Sequence, residues 1–508
     1  MEKTVRQPLH IPMNTLRRAR SLPHRHAGIL LLVSIFLSGF APVAAPPVGQ
    51  TGSHLGRTGG GGFGAGPSLL LQGEGVSPGG SSAEYCEYTT QPGDTLPAVA
   101  VRFGVYHDDI QAANGLSLSA RGLLPAGWKL IIPKKFSRTT DSARLLPDTA
   151  VVFSKSSAAF RVGDFILGKR GYLLGYSDDE GRTGSGIIER LALDNSIDPK
   201  ILLALLETSS GWVTRTEPPA ESLLYPLKFK DYSQRGLNTQ LMLAIDLLER
   251  GYYGWRDATV LDLRFGNGET LRLAPDLNAG TAAVMYYFSE FSYSPSLWRQ
   301  EVAKFEDVYA GLFGDPQADA SVALYPDELY PPDFSLPFFT GRSWCFSFGP
   351  HGAWDYRGPA AAVDLAPPQY EDSSAFSRMV LASASGCIVR SEGNAVVIDL
   401  DCDGSEQTGW NLFYYHMSEE DRVPRGTKVA KGQRIGSASC EGGKCTGMHV
   451  HMARKYNGEW VLVNGPLPFT ISGWVLSRGS AAGEWFFLRN GQQVYPSTNC
   501  FYPNLIYR

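Results

Sequence analysis

Long hydrophobic runs are nearly missing from this chain of 508 residues. One apolar stretch, residues 29–40, is well short of the roughly 20 apolar residues that a membrane-spanning helix needs. No later segment qualifies, so no membrane association is expected beyond this N-terminal run. Excess charge is lacking too. Lys and Arg number 46 against 50 Asp and Glu, for a net charge of −4 and a pI near 6.2. Nucleic-acid binders carry a basic face, so no nucleic-acid partner is expected. The glycine-rich segment containing Gly59 to Gly62 is followed by no Gly-Lys-Ser/Thr, which excludes a phosphate-binding loop. Histidine is scarce, nine in all, yet four of the nine fall between 351 and 451.

The N-terminal run has a context. Arg17, Arg18, Arg20, His24, Arg25 and His26 precede it, and Ala41, Ala44 and Ala45 follow. A basic segment, a short apolar core and small residues describe a secretory signal. Residues 1–45 are therefore expected to be a signal cleaved near Ala45, with an uncleaved anchor as the alternative. The implied location is secreted or extracytoplasmic, at the cell envelope. Export permits disulfides. Seven Cys are present, six of them between 345 and 500. Cys440 and Cys445 bracket a turn-like loop, and Cys387 and Cys402 flank an expected hairpin. Connectivity cannot be read from sequence; Cys86 is the foremost candidate for the unpaired thiol.

Composition divides the remainder. Residues 46–84 are rich in Gly, Ser and Pro and read as a flexible linker. Residues 85–134 predict the order strand, helix, helix, strand, with helices over 95–103 and 108–114. Residues 140–315 read as mostly helical. Asp198-Pro199 is a helix start, with Asp as N-cap and Pro at the first helical position, and further helices are expected at 238–250 and 280–291. Tyr252 to Trp255 is expected in a loop. Across 337–465, short strands alternate with glycine turns and helix is nearly absent. The expected strands cover 379–384, 387–391, 395–400, 411–415, 428–429 and 448–454, and antiparallel pairing fits their close spacing. Residues 466–508 are aromatic-rich and expected to be β structure. The fold class is thus multidomain: a small βααβ module, a mostly helical middle domain and an all-β antiparallel C-terminal domain.

The β region holds the chemistry. In Gly447-Met-His-Val-His-Met452 a strand would place His449 and His451 on one face. Upstream lie His351, Asp364 and His416. Asp364 sits in an expected apolar strand, Ala361-Ala-Val-Asp-Leu365, where an unpaired carboxylate would be costly. Asp355 and Asp399 read as a loop acid and a strand-exterior acid. A catalytic zinc site takes about three protein ligands and keeps a water position open, and imidazole and carboxylate suit zinc.

Three resemblances follow from these residues. Pro92-Gly-Asp-Thr-Leu96, Phe103-Gly-Val105, Asn114-Gly-Leu116 and Leu130-Ile-Ile-Pro133 resemble the lysin motif (LysM). That implies binding to N-acetylglucosamine-containing glycan such as peptidoglycan. Asp198 to Trp212 is similar to the catalytic-helix region of lysozyme-like lytic transglycosylases. Ser209 occupies the place of their catalytic Glu, and Glu207 lies two residues early, turned about 200° around the helix. Glycan cleavage needs a positioned carboxylic acid, so this lysozyme-like domain is expected to be structural or glycan-binding. The third resemblance rests on Gly349-Pro-His-Gly-Ala-Trp354, Ala362-Val-Asp-Leu-Ala366, Tyr414-Tyr-His-Met-Ser418, Gly426 to Gly436 and Gly447 to His451. Together these resemble the lysostaphin and staphylolysin family of zinc endopeptidases. The resemblance implies Zn2+ held by His351, Asp364 and His451, catalytic imidazoles at His416 and His449, and the glycan and stem peptides of peptidoglycan as partners. Many members carry the first ligand as H-x-x-x-D; that position here is Ala360, and His351 stands in its place.

Overall fold

The computed structural model describes residues 84–319, 323–354, 357–368, 376–481, 483–500 and 502–508. The expected signal or anchor, nearly all of the linker, and Asp355 lie outside the described residues.

The N-terminal module comprises β1 (Tyr85–Thr89), α1 (Leu96–Phe103), β2 (Gln111–Ala112) and β3 (Lys129–Pro133), with sheet order β1-β3-β2. Helix α1 starts where the Thr95 side chain accepts from the Ala98 amide and ends at Gly104, at φ 68°, the left-handed backbone that glycine adopts freely. The second expected helix is one 3-10 turn, His107–Asp109, followed by the two-residue strand Gln111–Ala112. Ile110 and Ala112 are both buried. That period of two, cut short by the Asn114-Gly115 turn, favours a strand over a helix too brief to nucleate.

The middle domain contains α2 (Val162–Lys169), α3 (Tyr172–Gly175), α4 (Gly184–Asn195), α5 (Pro199–Ser210), α6 (Leu237–Arg256), the hairpin β4 (Asp262–Arg264) and β5 (Thr270–Arg272), α7 (Ala279–Ser289) and α8 (Pro295–Phe313). Asp198 caps α5, accepting from the Lys200 amide at 2.8 Å, and Pro199 occupies its first position. Helix α6 runs on through Tyr252 to Trp255, which were expected in a loop. Gly251 and Gly254 there are contact points rather than breakers. A Cβ on Gly251 would lie 2.7 Å from Ala283 Cα on α7, and one on Gly254 would lie 2.4 Å from Val260 Cγ2.

The C-terminal region begins with a long hairpin, β6 (Ser343–Trp354) and β7 (Arg357–Ala366). It continues through β8 (Met379–Leu381), β9 (Gly386–Glu392), β10 (Ala395–Asp399), β11 (Trp410–Tyr415), β12 (Lys428–Val429), β13 (Arg434–Ser437), β14 (Val450–Tyr456) and β15 (Glu459–Trp460). Residues 466–508 add β16 (Thr470–Ile471), β17 (Trp474–Arg478), β18 (Trp485–Arg489), β19 (Gln492–Val494) and β20 (Leu505–Tyr507). A nine-stranded sheet runs β12-β9-β10-β11-β14-β7-β6-β20, with β15 beside β14. Every pair in it is antiparallel.

This sheet is buried on both faces. Val396, Ile398, Leu412, Tyr414 and Met452 enter a core shared with Trp474 and Phe487 of the C-terminal strands. Val397, Phe413, Ala453 and Trp460 enter the core of the helical domain. Each fully buried Val, Leu, Ile, Phe or Met among them contributes about 1.5–3 kcal/mol. Asp364 and His451 alternate with Val363, Leu365, Val450 and Met452, so they project from the helix-facing side. Disulfides join Cys345 to Cys500, Cys387 to Cys402 and Cys440 to Cys445, and Cys86 is free. No described helix is long and apolar enough to cross a membrane.

Candidate metal centre and active site

Asp364 is the hub. It pairs with His451 across β7 and β14, and residues directly opposite in such a pair stand side by side on one face. His451 turns Nδ1 toward Asp364 Oδ1 at 3.4 Å. Its Nε2–H donates to the Ala353 carbonyl at 2.9 Å, which fixes the tautomer and leaves Nδ1 with its lone pair free. His351 reaches the same oxygen, Nε2 to Oδ1, at 2.8 Å. It gets there through repeated register shifts between β6 and β7, on either side of His351. Such bulges re-aim side chains. One ligand atom from each of His351, Asp364 and His451 lies within 4.8 Å of the others, a spacing and donor set that can hold a metal ion.

His449 and His416 flank this group. His449 Nε2 is 3.5 Å from Asp364 Oδ2, and its Nδ1–H donates to the Gly447 carbonyl at 2.7 Å. The His416 ring packs 4.5 Å from that of His449, centroid to centroid, and its Nδ1–H donates to the Glu441 carbonyl at 2.9 Å. Both rings thus keep Nε2 as the open nitrogen. His416 sits at φ 58°, a left-handed conformation costing an L-residue roughly 1–2 kcal/mol. Bonds on both sides hold it: the Met417 amide donates to Asn394 O at 3.0 Å, and the Ser439 amide to His416 O at 2.8 Å. All five predicted site residues are therefore brought together. His416 and His451 are 1% exposed, Asp364 3% and His449 6%.

Burial and polar contacts set the charge states. Burial pushes the Asp364 carboxyl up, but the hydrogen bond from His351 and the close contact with His451 outweigh it and hold the group below the usual carboxylate range. Burial holds His416 down to about 4, only partly opposed by its bond to the Glu441 carbonyl. Burial likewise lowers His451, with the Asp364 contact opposing it.

Glu441 was missed by sequence reasoning. Its carbonyl orients His416, and its carboxylate accepts from Ser418 Oγ at 3.2 Å, Asn394 Nδ2 at 2.9 Å and the Glu419 amide at 2.8 Å. The one available signal was its place in the loop closed by Cys440 and Cys445. Asp399, read as a strand-exterior acid, is fully buried instead. In the middle domain, Glu207 is occupied as a cap. Its carboxylate accepts from the Val213 and Thr214 amides and from Thr214 Oγ1 at 2.5–3.1 Å. Ser209, at the expected acid position, hydrogen-bonds Tyr287.

Residues 361–462 match the family described as Peptidase family M23. The C-terminal domain is therefore similar to peptidase family M23 over those residues. Residues 88–133 match the LysM domain, and residues 144–326 match the N-terminal domain of LasA. Among curated proteins, the chain is 28% identical over 294 residues to Protease LasA of Pseudomonas aeruginosa strain UCBPP-PA14. That alignment spans 53% of this chain and 65% of the relative. Beta-lytic metalloendopeptidase of Achromobacter lyticus is 28% identical over 171 residues, 31% of this chain and 42% of that one. Among solved structures, the M23 metalloprotease Pseudoalterin is 24% identical, with 35% of this chain and 98% of that chain covered and a TM-score of 0.27. The M23 match takes in Asp364, His416, His449 and His451, and His351 falls ten residues before it.

Proposed function

We propose that this chain is a secreted zinc metalloendopeptidase that hydrolyses amide bonds of peptidoglycan stem peptides or cross-bridges and is held on the glycan by its LysM domain. The observation that carries the reading is one carboxylate, Asp364, met by the imidazoles of His351, His449 and His451 at 2.8–3.5 Å, with His416 packed on His449. His351, Asp364 and His451 would hold the zinc. Two imidazoles and a carboxylate are a catalytic zinc donor set, and the hydrogen bond from His451 Nε2–H to the Ala353 carbonyl orients the ring as such a ligand needs. Zinc bound there supplies a Lewis acid for the scissile carbonyl and brings the pKa of its water toward about 7.

The chain's own groups do the rest. His416 is held neutral by burial, so its open Nε2 accepts a proton at neutral pH. His449, with Nδ1–H committed to Gly447, presents Nε2 from the other side of the pair. Between them they can take a proton from the attacking water and return one to the leaving amine. Support for the glycan contact comes from a cavity of about 610 Å³ lined by Gly93, Thr95 and Gly122 of the LysM domain together with Arg256, Tyr325 and Asn464, within the size range of ligand pockets.

The test is metal content and release of new amino termini from purified peptidoglycan. The wild type should carry one zinc per chain and release amines. His451→Ala should lose both. His416→Ala should retain zinc and lose hydrolysis by about 10²–10⁴-fold. Zinc-supplemented wild type that neither retains the metal nor releases amines would leave a non-catalytic envelope protein as the reading.

A further inference from the structure

A second cluster of oxygen donors lies away from the histidine site. The turn between β10 and β11 reads Asp399-Leu-Asp-Cys-Asp-Gly404, and one carboxylate oxygen from each of Asp399, Asp401 and Asp403 lies within 4.8 Å of the others. Acidic residues at alternate positions, followed by glycine, are the opening half of a calcium-binding loop. The backbone bends to suit. The Gly404 amide donates to Asp399 Oδ2 at 2.8 Å, and the Cys402 amide to Asp399 Oδ1 at 3.2 Å. Among the described residues no Lys, Arg or His nitrogen forms a salt bridge with these three carboxylates.

An independent observation points into the same turn. Asn411 stands opposite Asp399 in the β10–β11 pairing and is fully buried. Its amide nitrogen donates to the turn's own carbonyls, Thr408 O at 2.9 Å and Ser405 O at 3.5 Å, so the side chain is aimed into the turn. Its Oδ1 has no hydrogen-bond partner. A buried amide oxygen left unmatched is unfavourable, and a cation ligated by oxygen would satisfy it. The geometry points to a calcium site formed by Asp399, Asp401, Asp403 and Asn411, separate from the zinc ligands and independent of the hydrolytic reading.

The donor chemistry selects the ion. All four groups offer hard oxygen, with neither imidazole nor thiolate among them, which suits Ca2+ over Zn2+. The flexible span of a turn accommodates calcium's larger, irregular shell better than magnesium's tight octahedron. The bidentate Glu that closes the twelve-residue loop is absent, Trp410 standing in its place. Affinity is therefore expected in the weak class, about 10⁻⁴–10⁻³ M, typical of extracellular modules. The ion would fasten a turn already tied to β9 through Cys402 and Cys387, at the start of the strand that leads to His416.

Trp410 makes the site observable, because an indole beside a bound lanthanide sensitises its emission. Full-length, zinc-loaded protein would be titrated with Tb3+ under indole excitation and then with CaCl2. The expected result is Tb3+ emission displaced by CaCl2 in the wild type and equally in His451→Ala, and lost in the double variant Asp401→Asn, Asp403→Asn. In parallel, about 10 mM CaCl2 should raise the wild-type Tm by roughly 3 °C and leave the double variant unmoved. Asp401 and Asp403 are both exposed, so these substitutions spare the core, and circular dichroism checks the fold. No displaceable emission and no Tm shift in the wild type would overturn the proposal. So would either response persisting in the double variant, or an equal shift with MgCl2.

Discussion

A buried neutral imidazole leaves a signature in the pH dependence of stability. His416 is held down to about 4 in the fold, whereas an unfolded chain protonates it near 6.5. Between those values the unfolded state binds the extra proton, so stability rises with pH across the window and falls as pH drops from about 6.5 to 4. The contribution is complete above about 6.5 and amounts to roughly 3 kcal/mol at most. Chemical denaturation of chelator-treated protein between pH 4 and 8 should therefore show a steeper acid-side loss for the wild type than for His416→Gln. Equal slopes would mean that His416 titrates normally. At this scale much of the site was legible. The H-x-H pair and Tyr414-Tyr-His416 are local patterns, and an acid in an apolar strand marks Asp364 because burial demands a partner. His351 was legible only by family resemblance, since what carries it to Asp364 is the irregular β6–β7 register. Asp399 was misread because β10 is buried on both faces, so alternation carries no signal about which side is outside.

Elements were legible where their pattern was regular and obscured where glycine and proline serve packing. Helix α5 announced itself through Asp198-Pro199, and its cap is as expected. Of the β6–β7 hairpin only the apolar strand around Asp364 was read, because Gly349, Pro350, Gly352, Gly358 and Pro359 punctuate the rest like loop residues. Helix α6 was cut short for the same reason, at Gly251 and Gly254. Gly251→Ala tests that account with two opposed effects. Helix propensity favours alanine by about 1 kcal/mol. Against it, the new methyl would meet Ala283 Cα at 2.7 Å and Tyr286 Cβ at 2.8 Å. Both belong to α7, whose other side is packed in the core, so neither can withdraw freely. Overpacking of that kind costs about 1–3 kcal/mol. The net expectation is destabilisation by roughly 1 kcal/mol or more, read as a lower denaturation midpoint. A stabilised variant would show that α6 and α7 part easily.

Across the whole molecule, the described domains are joined through shared polar nodes that no single-domain pattern contains. Arg390 lies buried between Asp194 of α4 and Glu406 of the β domain, at 2.8 Å from each. Arg256, at the end of α6, reaches three domains at once. It donates to Pro92 O in the LysM domain at 2.6 Å, to Asp148 in the middle domain at 2.9 Å and to Glu459 in the β domain at 3.1 Å. LysM is further fixed by Gln91, whose side chain donates to Asp276 O and Leu277 O at 3.1 Å. The LysM domain is thus docked on the body, at a set distance from the histidine cluster. Arg256→Met keeps the aliphatic volume and removes the charge. It leaves Glu459, which is 3% exposed on its side chain, without its cation. Breaking a buried pair from one side costs about 3–5 kcal/mol. A Tm lower by roughly 6–10 °C is therefore expected, along with faster protease nicking between the LysM and middle domains. Double substitution with Glu459→Gln should recover part of the loss, because it removes the stranded charge. A single variant that melts and resists protease like the wild type would show that apolar packing alone holds the three domains together.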